Sequence, residues 1–214
     1  MYFEGMNKKS VVLRMISVLL VPFRAVFGIR NAMEPDYQIL YNEDSKEIRQ
    51  YAGYVMAKTV QSGDFEESGN SGFWLLYRYI TGANQKQNKI QMTAPVIQKE
   101  AFTKIEMTAP LLQKKGSHGW EIAFVLPAEF TMENAPIPTD KSVTLAHAEP
   151  QLVGVLRYTG LSSEKKIARF ADELLKWLQS KGYEPISQYR SARYDPPFTL
   201  PFFRRNEIQI EVKK

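Results

Sequence analysis

Short runs rich in β-forming residues follow one another after residue 34, and most of them alternate hydrophobic and polar positions. A period of two is typical of strands that bury one face. Strands are therefore predicted at residues 37–42, 46–51, 54–61, 120–126, 143–148, 152–158, 186–194 and 207–212. Polar turns or glycines separate these runs, as in an antiparallel sheet.

Two segments repeat their hydrophobic positions every three or four residues, which predicts amphipathic helices. The first ends before Gly82, and its apolar positions are Phe73, Leu76, Tyr77 and Ile80. Residues 68–72, SGNSG, are poor helix formers and leave its beginning undefined. The second is capped by Ser162 and ends at Gly182. Its apolar stripe consists of Ile167, Phe170, Ala171, Leu174, Leu175 and Leu178.

The sequence KIQMTAP at residues 89–95 recurs as KIEMTAP at residues 104–110. In both copies Ile, Met and Ala alternate with polar residues, which predicts two strands with the methionine on the apolar face. Pro95 and Pro110 cannot donate a ladder hydrogen bond, so each is expected at a strand end, edge or bulge. We expect the two strands to pair as a hairpin across residues 98–103.

The order strand, helix, strand occurs twice, at residues 54–97 and again at residues 152–194. We infer an α+β domain of two related halves, each of which lays one helix on an antiparallel sheet. One face of the sheet and the helices are expected to enclose a groove.

The positive charge of the chain is concentrated at its beginning. The net charge is +5, but residues 1–33 contain five basic residues and one acidic residue, which leaves only +1 for the remainder. The body therefore lacks the charge expected of a nucleic-acid-binding protein. We divide the chain into a leader, residues 1–33, and one domain, residues 34–214.

Within the leader, basic residues precede an apolar stretch at residues 10–29, which is interrupted by Arg14, Pro22 and Arg24. This pattern predicts a signal-like or membrane-associated helix and contact with a membrane through residues 10–29. The expected location is membrane-associated or periplasmic. A cleaved export signal and an N-terminal extension of a cytoplasmic protein are the alternatives.

Catalytic chemistry has little support in the sequence. The chain has no cysteine, which excludes thiolate catalysis, disulfides and cysteine-bound metals. His118 and His147 lie in separate segments, and no hydrolase or phosphate-loop motif occurs. We predict no catalytic residue and no metal site. The alternative enzyme hypothesis uses Glu207 as an acid, which requires a raised pKa in an apolar pocket.

Residues 193–210, RYDPPFTLPFFRRNEIQI, concentrate prolines and phenylalanines. Prolines fix an extended, non-helical path, so this segment is either the wall of an apolar pocket or a cover for the core.

Five phrases resemble the SOUL heme-binding protein family in order and spacing. They are EIRQY at residues 47–51, GFWLLYRYITGAN at 72–84, KIQMTAPV at 89–96, FVLP at 124–127 and YDPPFTLPFFRRNEI at 194–208. The second KIxMTAP copy resembles the duplicated form of bacterial-type members. The resemblance implies a pseudo-twofold duplicated fold, a distorted antiparallel β-barrel flanked by two helices.

The resemblance also implies tetrapyrrole binding in a shallow apolar cleft beside the first helix and near the proline-rich loop. The cofactor-binding candidates are Phe73, Leu76, Tyr77, Arg78, Phe198, Thr199 and Leu200. Arg78 suits a heme propionate, because a guanidinium can bind a carboxylate through two hydrogen bonds. Some members have a histidine where this chain has Gln50, so iron coordination would fall to Tyr77, Met92, Met107, His147 or no strong protein ligand.

We therefore expect a carrier or buffer of heme or another tetrapyrrole, without a dedicated axial ligand. The alternative is a binding module for another hydrophobic small molecule, by analogy with gyrase-inhibitor-like ligand domains. The partner in either case is an apolar small molecule and not a nucleic acid.

Overall fold

A computed structural model describes residues 34–85, 109–117, 119–195 and 199–214. The leader, the strands and hairpin predicted for the two KIxMTAP copies, His118 and Phe198 lie outside the described residues.

The described residues form twelve strands, two α-helices and one 3-10 turn. The first six strands are β1 (Tyr37–Glu43), β2 (Lys46–Tyr51), β3 (Tyr54–Gln61), β4 (Asn84–Gln85), β5 (Leu111–Gly116) and β6 (Gly119–Val125). The others are β7 (Ile137–Pro138), β8 (Thr144–Ala148), β9 (Gln151–Thr159), β10 (Glu184–Pro185), β11 (Arg190–Arg193) and β12 (Arg205–Lys213). The helices are α1 (Phe65–Ile80) and α2 (Glu164–Ser180), and the 3-10 turn covers Pro201–Phe203.

A large antiparallel sheet curls into a half-barrel, and both helices pack on the same face of the sheet. The strand order is β1-β2-β9-β12-β11-β5-β6-β3-β8, with β10 paired to β12, and β4 and β7 form a separate pair. Helix α1 packs on β3 and β6, and α2 packs on β9 and β12. The predicted α+β fold is confirmed. Neither described helix combines the length and apolar character needed to cross a membrane.

Helix α1 begins earlier than the run of poor helix formers suggested. Asp64 caps it, because its Oδ1 accepts hydrogen bonds from the backbone N–H groups of Glu66 (2.9 Å) and Glu67 (2.8 Å). Gly69 and Gly72 lie inside the helix and are buried against the sheet. A side chain at Gly72 would place its Cβ only 2.8 Å from Ile122 Cγ1. These glycines therefore permit close packing and do not end the helix.

Two smaller predictions also need correction, and one strand was missed. Ser163, not Ser162, caps α2, while the Ser162 hydroxyl shares a hydrogen bond with the Tyr158 hydroxyl. The strand predicted at residues 186–194 is reduced to β11, and β10 precedes it. Strand β5 was not predicted. It begins directly after Pro110, which fits the expectation that Pro110 lies at a strand end.

Each side of the sheet has its own kind of interior. The helix-facing side is apolar, and its fully buried members include Ile48, Leu76, Ile122, Leu174 and Ile208. The opposite side combines small apolar clusters with a charged network. That network is centred on Arg49 and Glu207, both fully buried.

Replacing Gly72 with alanine tests the close packing of α1. The new Cβ would displace the fully buried Ile122, and overpacking of this kind costs about 1–3 kcal/mol. This cost exceeds the roughly 1 kcal/mol gained in helix propensity. Urea unfolding of Gly72→Ala should therefore show a lower free energy of unfolding. The exposed Asn70→Ala is the matched control and should be slightly stabilising; a stabilised Gly72→Ala would contradict the packing.

Candidate ligand-binding site

Three aromatic side chains form a continuous surface on the outer side of α1, which we call the aromatic face: Phe73, Trp74 and Tyr77. The Phe73 and Tyr77 rings lie 5.9 Å apart and nearly parallel, since residues four apart share one side of a helix. Trp74 stands perpendicular to both rings and is 55% exposed. Phe73 also packs edge-on against Phe124 of β6, at 5.6 Å, so the face is fixed to the sheet.

A cavity of about 520 Å³ lies beside the last turns of α1. We call it the Arg78 cavity. Leu75, Tyr79 and Val143 provide apolar surface, while Arg78 and Lys141 bring positive charge. The volume lies within the ordinary range of small-molecule sites. Tyr79 is held in place because its hydroxyl donates to the Pro136 carbonyl at 2.8 Å.

Arg78 is only loosely paired in this cavity. Its Nη2 lies 3.8 Å from Asp140 Oδ2, and both side chains are exposed to solvent. Asp140 instead accepts hydrogen bonds from the Ser142 hydroxyl (2.6 Å) and backbone N–H (3.0 Å), which lower its pKa. An exposed pair at this distance contributes little energy. The Arg78 guanidinium can therefore bind a ligand carboxylate without losing a strong partner.

The structure does not bring all the predicted site residues together. Phe73 and Tyr77 lie on the aromatic face, next to Arg78. Leu76 is fully buried between α1 and the sheet, so it supports the site from behind and offers no surface to a ligand. Thr199 is 1% exposed and Leu200 is 37% exposed, both on the loop before the 3-10 turn.

That loop lies at the opposite end of α1 from Arg78. Arg193, just before the loop, donates to Gln113 Oε1 at 2.8 Å, and the Gln113 amide donates to the Phe65 carbonyl at 2.7 Å. Phe65 is the first residue of α1 and Arg78 is in its last turn. A rise of 1.5 Å per residue separates them by about 20 Å. Thr199 and Leu200 therefore belong to a different surface from the aromatic face.

Two residues of the site were not predicted from the sequence. Trp74 could have been found, because it lies three residues before Tyr77 on the same helix. Lys141 could not, because it belongs to the segment between β7 and β8 that only the folded chain brings beside Arg78.

The candidate iron ligands are scattered. Tyr77 is part of the aromatic face, and Met92 and Met107 lie outside the described residues. His147 lies on β8, and its Nδ1 is 3.1 Å from Glu149 Oε1. It lines a second cavity of about 760 Å³, the His147 cavity, together with Tyr54, Leu126 and Phe130. Gln50 lies on β2. Lys46, the first residue of the same strand, pairs with Glu173 of α2. Gln50 is therefore on the half of the sheet that carries α2, away from α1.

Glu207 does not have the raised pKa that the enzyme hypothesis requires. Burial alone would raise the pKa, but the charge and hydrogen bonds of Arg49 and Arg205 and a hydrogen bond from Tyr194 outweigh it and lower the pKa to about 2. Arg49 donates from two nitrogens at 2.9 and 3.0 Å, and Tyr194 donates at 2.6 Å. The carboxylate is ionised and has no exposed surface, so it is a structural anion.

Comparison with known proteins places this geometry in a family. The model of the SOUL heme-binding protein matches residues 32–211. The chain belongs to the SOUL heme-binding protein family. It is 26% identical to heme-binding protein 1 of Xenopus laevis over 163 residues, 76% of this chain and 80% of that protein. It is 29% identical to human heme-binding protein 2 over 178 residues, 79% of this chain and 78% of that protein.

Solved structures with the same fold are more distant from this SOUL family member. The EcmrR C-terminal domain has a TM-score of 0.53 and 12% identity, covering 83% of this chain and 98% of that domain. A hydrolase from Listeria innocua has a TM-score of 0.51 and 12% identity, covering 81% of this chain and 94% of that chain. At this identity the similarity shows the shared fold alone.

The pKa of Glu207 predicts how stability depends on pH. Because the folded-state pKa is depressed from an ordinary value near 4.5, the stabilisation is complete above that value and is lost as the pH falls toward 2. The loss amounts to roughly 3 kcal/mol. Chemical unfolding measured between pH 6 and about pH 2 should show this decrease.

Glu207→Gln should lower the stability at pH 6 by about 3–5 kcal/mol and flatten the pH dependence, since the buried Arg49 and the part-buried Arg205 lose the carboxylate that they share. Glu173→Gln, at an exposed ion pair, is the control and should change neither quantity much. An unaltered pH profile in Glu207→Gln would show that other groups cause the acid sensitivity.

Proposed function

We propose that this chain binds heme or a related tetrapyrrole on the aromatic face of α1, with the ring carboxylates directed to Arg78 and Lys141. The observation that carries the proposal is an aromatic surface on α1 whose Trp74 lies one helical turn before Arg78, which lines a cavity together with a second cation, Lys141. Membership of a heme-binding family supports the same class of ligand.

The residues present fit such a ligand in shape and charge. Heme supplies a flat apolar ring, two carboxylates and an iron centre. Offset or edge-on contacts with aromatic rings suit the flat ring, and Phe73, Trp74 and Tyr77 offer both geometries. Arg78 and Lys141 can each bind a carboxylate through a charge-assisted hydrogen bond.

The site favours reversible binding and therefore a carrier or buffer role rather than enzymatic turnover. Among the described residues, no histidine or methionine lines the Arg78 cavity, and Tyr77 is the nearest candidate for iron on the aromatic face. Affinity would then come mainly from burial of the ring and from the two cations. A ligand held in this way can be released without breaking a strong bond to iron.

A second candidate function is binding of another apolar small molecule in the His147 cavity. The cavity is larger than the Arg78 cavity and is lined by Tyr54, Leu126, Pro127 and Phe130. Its charged residues include Glu34 and Asp36, which disfavour a ligand with propionates. This cavity therefore suits a neutral or cationic molecule better than heme.

A hemin titration of the full chain, followed by absorbance, tests the proposal. A saturating Soret shift near one equivalent is expected. Arg78→Gln and Lys141→Gln should each weaken binding about tenfold, since each removes a hydrogen bond to a charged group. Trp74→Ala should also weaken hemin binding, because it removes an aromatic contact with the porphyrin ring. Arg169→Gln, an exposed arginine on α2, is the control and should bind like the unaltered chain.

The ligand would instead belong in the His147 cavity if binding saturates, is unchanged by the Arg78, Lys141 and Trp74 variants, and is weakened by Phe130→Ala. A shift that never saturates would indicate adsorption and would contradict the proposal.

A further inference from the structure

A second exposed apolar surface lies far from Arg78, around the 3-10 turn. Four side chains form it, and we call it the Phe202 tip: Leu161, Leu200, Phe202 and Phe203. Their exposed fractions are 60%, 37%, 64% and 39%. The Phe202 and Phe203 rings lie 4.6 Å apart. Clustered exposure of large apolar side chains is uncommon on a soluble surface and marks an interaction site.

The backbone holds the Phe202 tip in place. Within the turn, the N–H of Phe203 donates to the Leu200 carbonyl at 2.9 Å, and the N–H of Arg204 donates to the Pro201 carbonyl at 3.1 Å. The N–H of Gly160 also donates to the Pro201 carbonyl at 2.9 Å, which joins the turn to the segment that carries Leu161. The exposure of Phe202 is therefore a feature of the folded backbone.

Basic side chains lie beside the Phe202 tip. Arg204 ends the 3-10 turn and donates from Nε to the Thr199 carbonyl at 2.8 Å, and Lys165, Lys166 and Arg169 lie on the first turns of α2, which begins shortly after Leu161. Lys166 Nζ donates to the Leu161 carbonyl at 3.0 Å, which fixes its charge at the base of the tip. The nearest acidic residue on α2, Glu164, is already paired with Lys115 at 3.3 Å. The side of the tip next to α2 is therefore positively charged, while Glu66 and Glu67 lie on the first turn of α1.

This combination suits a lipid surface better than a protein partner. Lysine is depleted at protein–protein interfaces. Elements that lie in a membrane interface instead combine phenylalanine and leucine with flanking lysine and arginine, because the apolar groups enter the acyl region and the cations meet the lipid phosphates.

We propose that the Phe202 tip inserts into the interfacial layer of an anionic phospholipid bilayer, with Lys165, Lys166, Arg169 and Arg204 on the headgroups. The tip provides a contact that is separate from residues 10–29. It also lies at the end of α1 remote from Arg78, so the aromatic face stays accessible while the tip is bound.

The lack of cysteine permits a direct test in the full chain. Phe202→Cys is labelled with the environment-sensitive dye NBD and mixed with vesicles of equal parts phosphatidylcholine and phosphatidylglycerol. The matched control is Ile186→Cys, because Ile186 is 57% exposed and lies away from the tip. The label at position 202 should shift to the blue and brighten, while the label at position 186 should not.

Charge and apolar variants complete the test by vesicle sedimentation. Lys165→Gln and Arg169→Gln should each weaken binding about fivefold and reduce its salt dependence. Phe202→Ser should weaken it about tenfold. The proposal would be overturned if the labels at positions 202 and 186 responded equally or if neither responded. This holds also where the chain binds vesicles through residues 10–29 alone. Equal binding to purely phosphatidylcholine vesicles would overturn the role of the basic residues.

Discussion

The Arg49 guanidinium and the Glu207 carboxylate join two strands that are 158 residues apart in the chain and separated by β9 in the sheet. Both side chains are fully buried. Tyr194 and Arg205 donate further hydrogen bonds to the same carboxylate. Buried charges must be paired and fully hydrogen-bonded, because removing one partner leaves the other uncompensated. The charged network therefore occupies this part of the sheet face opposite the helices.

The proposed tetrapyrrole surface lies on the other side of the sheet, on α1. The helix-facing core anchors α1, and close packing at Gly72 brings the helix near enough for Phe73 to contact Phe124. This contact fixes the aromatic face, and Arg78 follows it by less than two turns. The Phe202 tip occupies a separate position beside α2. One scaffold thus carries a proposed tetrapyrrole surface at one end of α1 and a proposed lipid surface near the other.

Local patterns in the sequence predicted most of the longer strands, the two helices and the fold class, because periods of two and 3.6 residues reflect burial on one side of an element. The start of α1 was missed, since the packing reason for Gly69 and Gly72 lies in residues of β5, β6 and β11. Glu207 was misjudged for a similar reason. Its pKa depends on Arg49, and no local pattern connects residues so far apart. Thr199 and Leu200 were assigned to the same cleft as Arg78 by resemblance, but the chain places them elsewhere.

We expect the ligand to lie on the aromatic face of α1. The chain has three tryptophans, Trp74 on this face, Trp120 under the beginning of α1 and Trp177 on α2, so three indole N–H signals report on three places. A ¹H–¹⁵N NMR spectrum of the full chain with added ferric heme tests the claim, because the paramagnetic iron broadens nearby signals. We expect the Trp74 signal to broaden most and the Trp177 signal to persist. A Trp74 signal that stays unchanged when heme is bound would contradict this expectation.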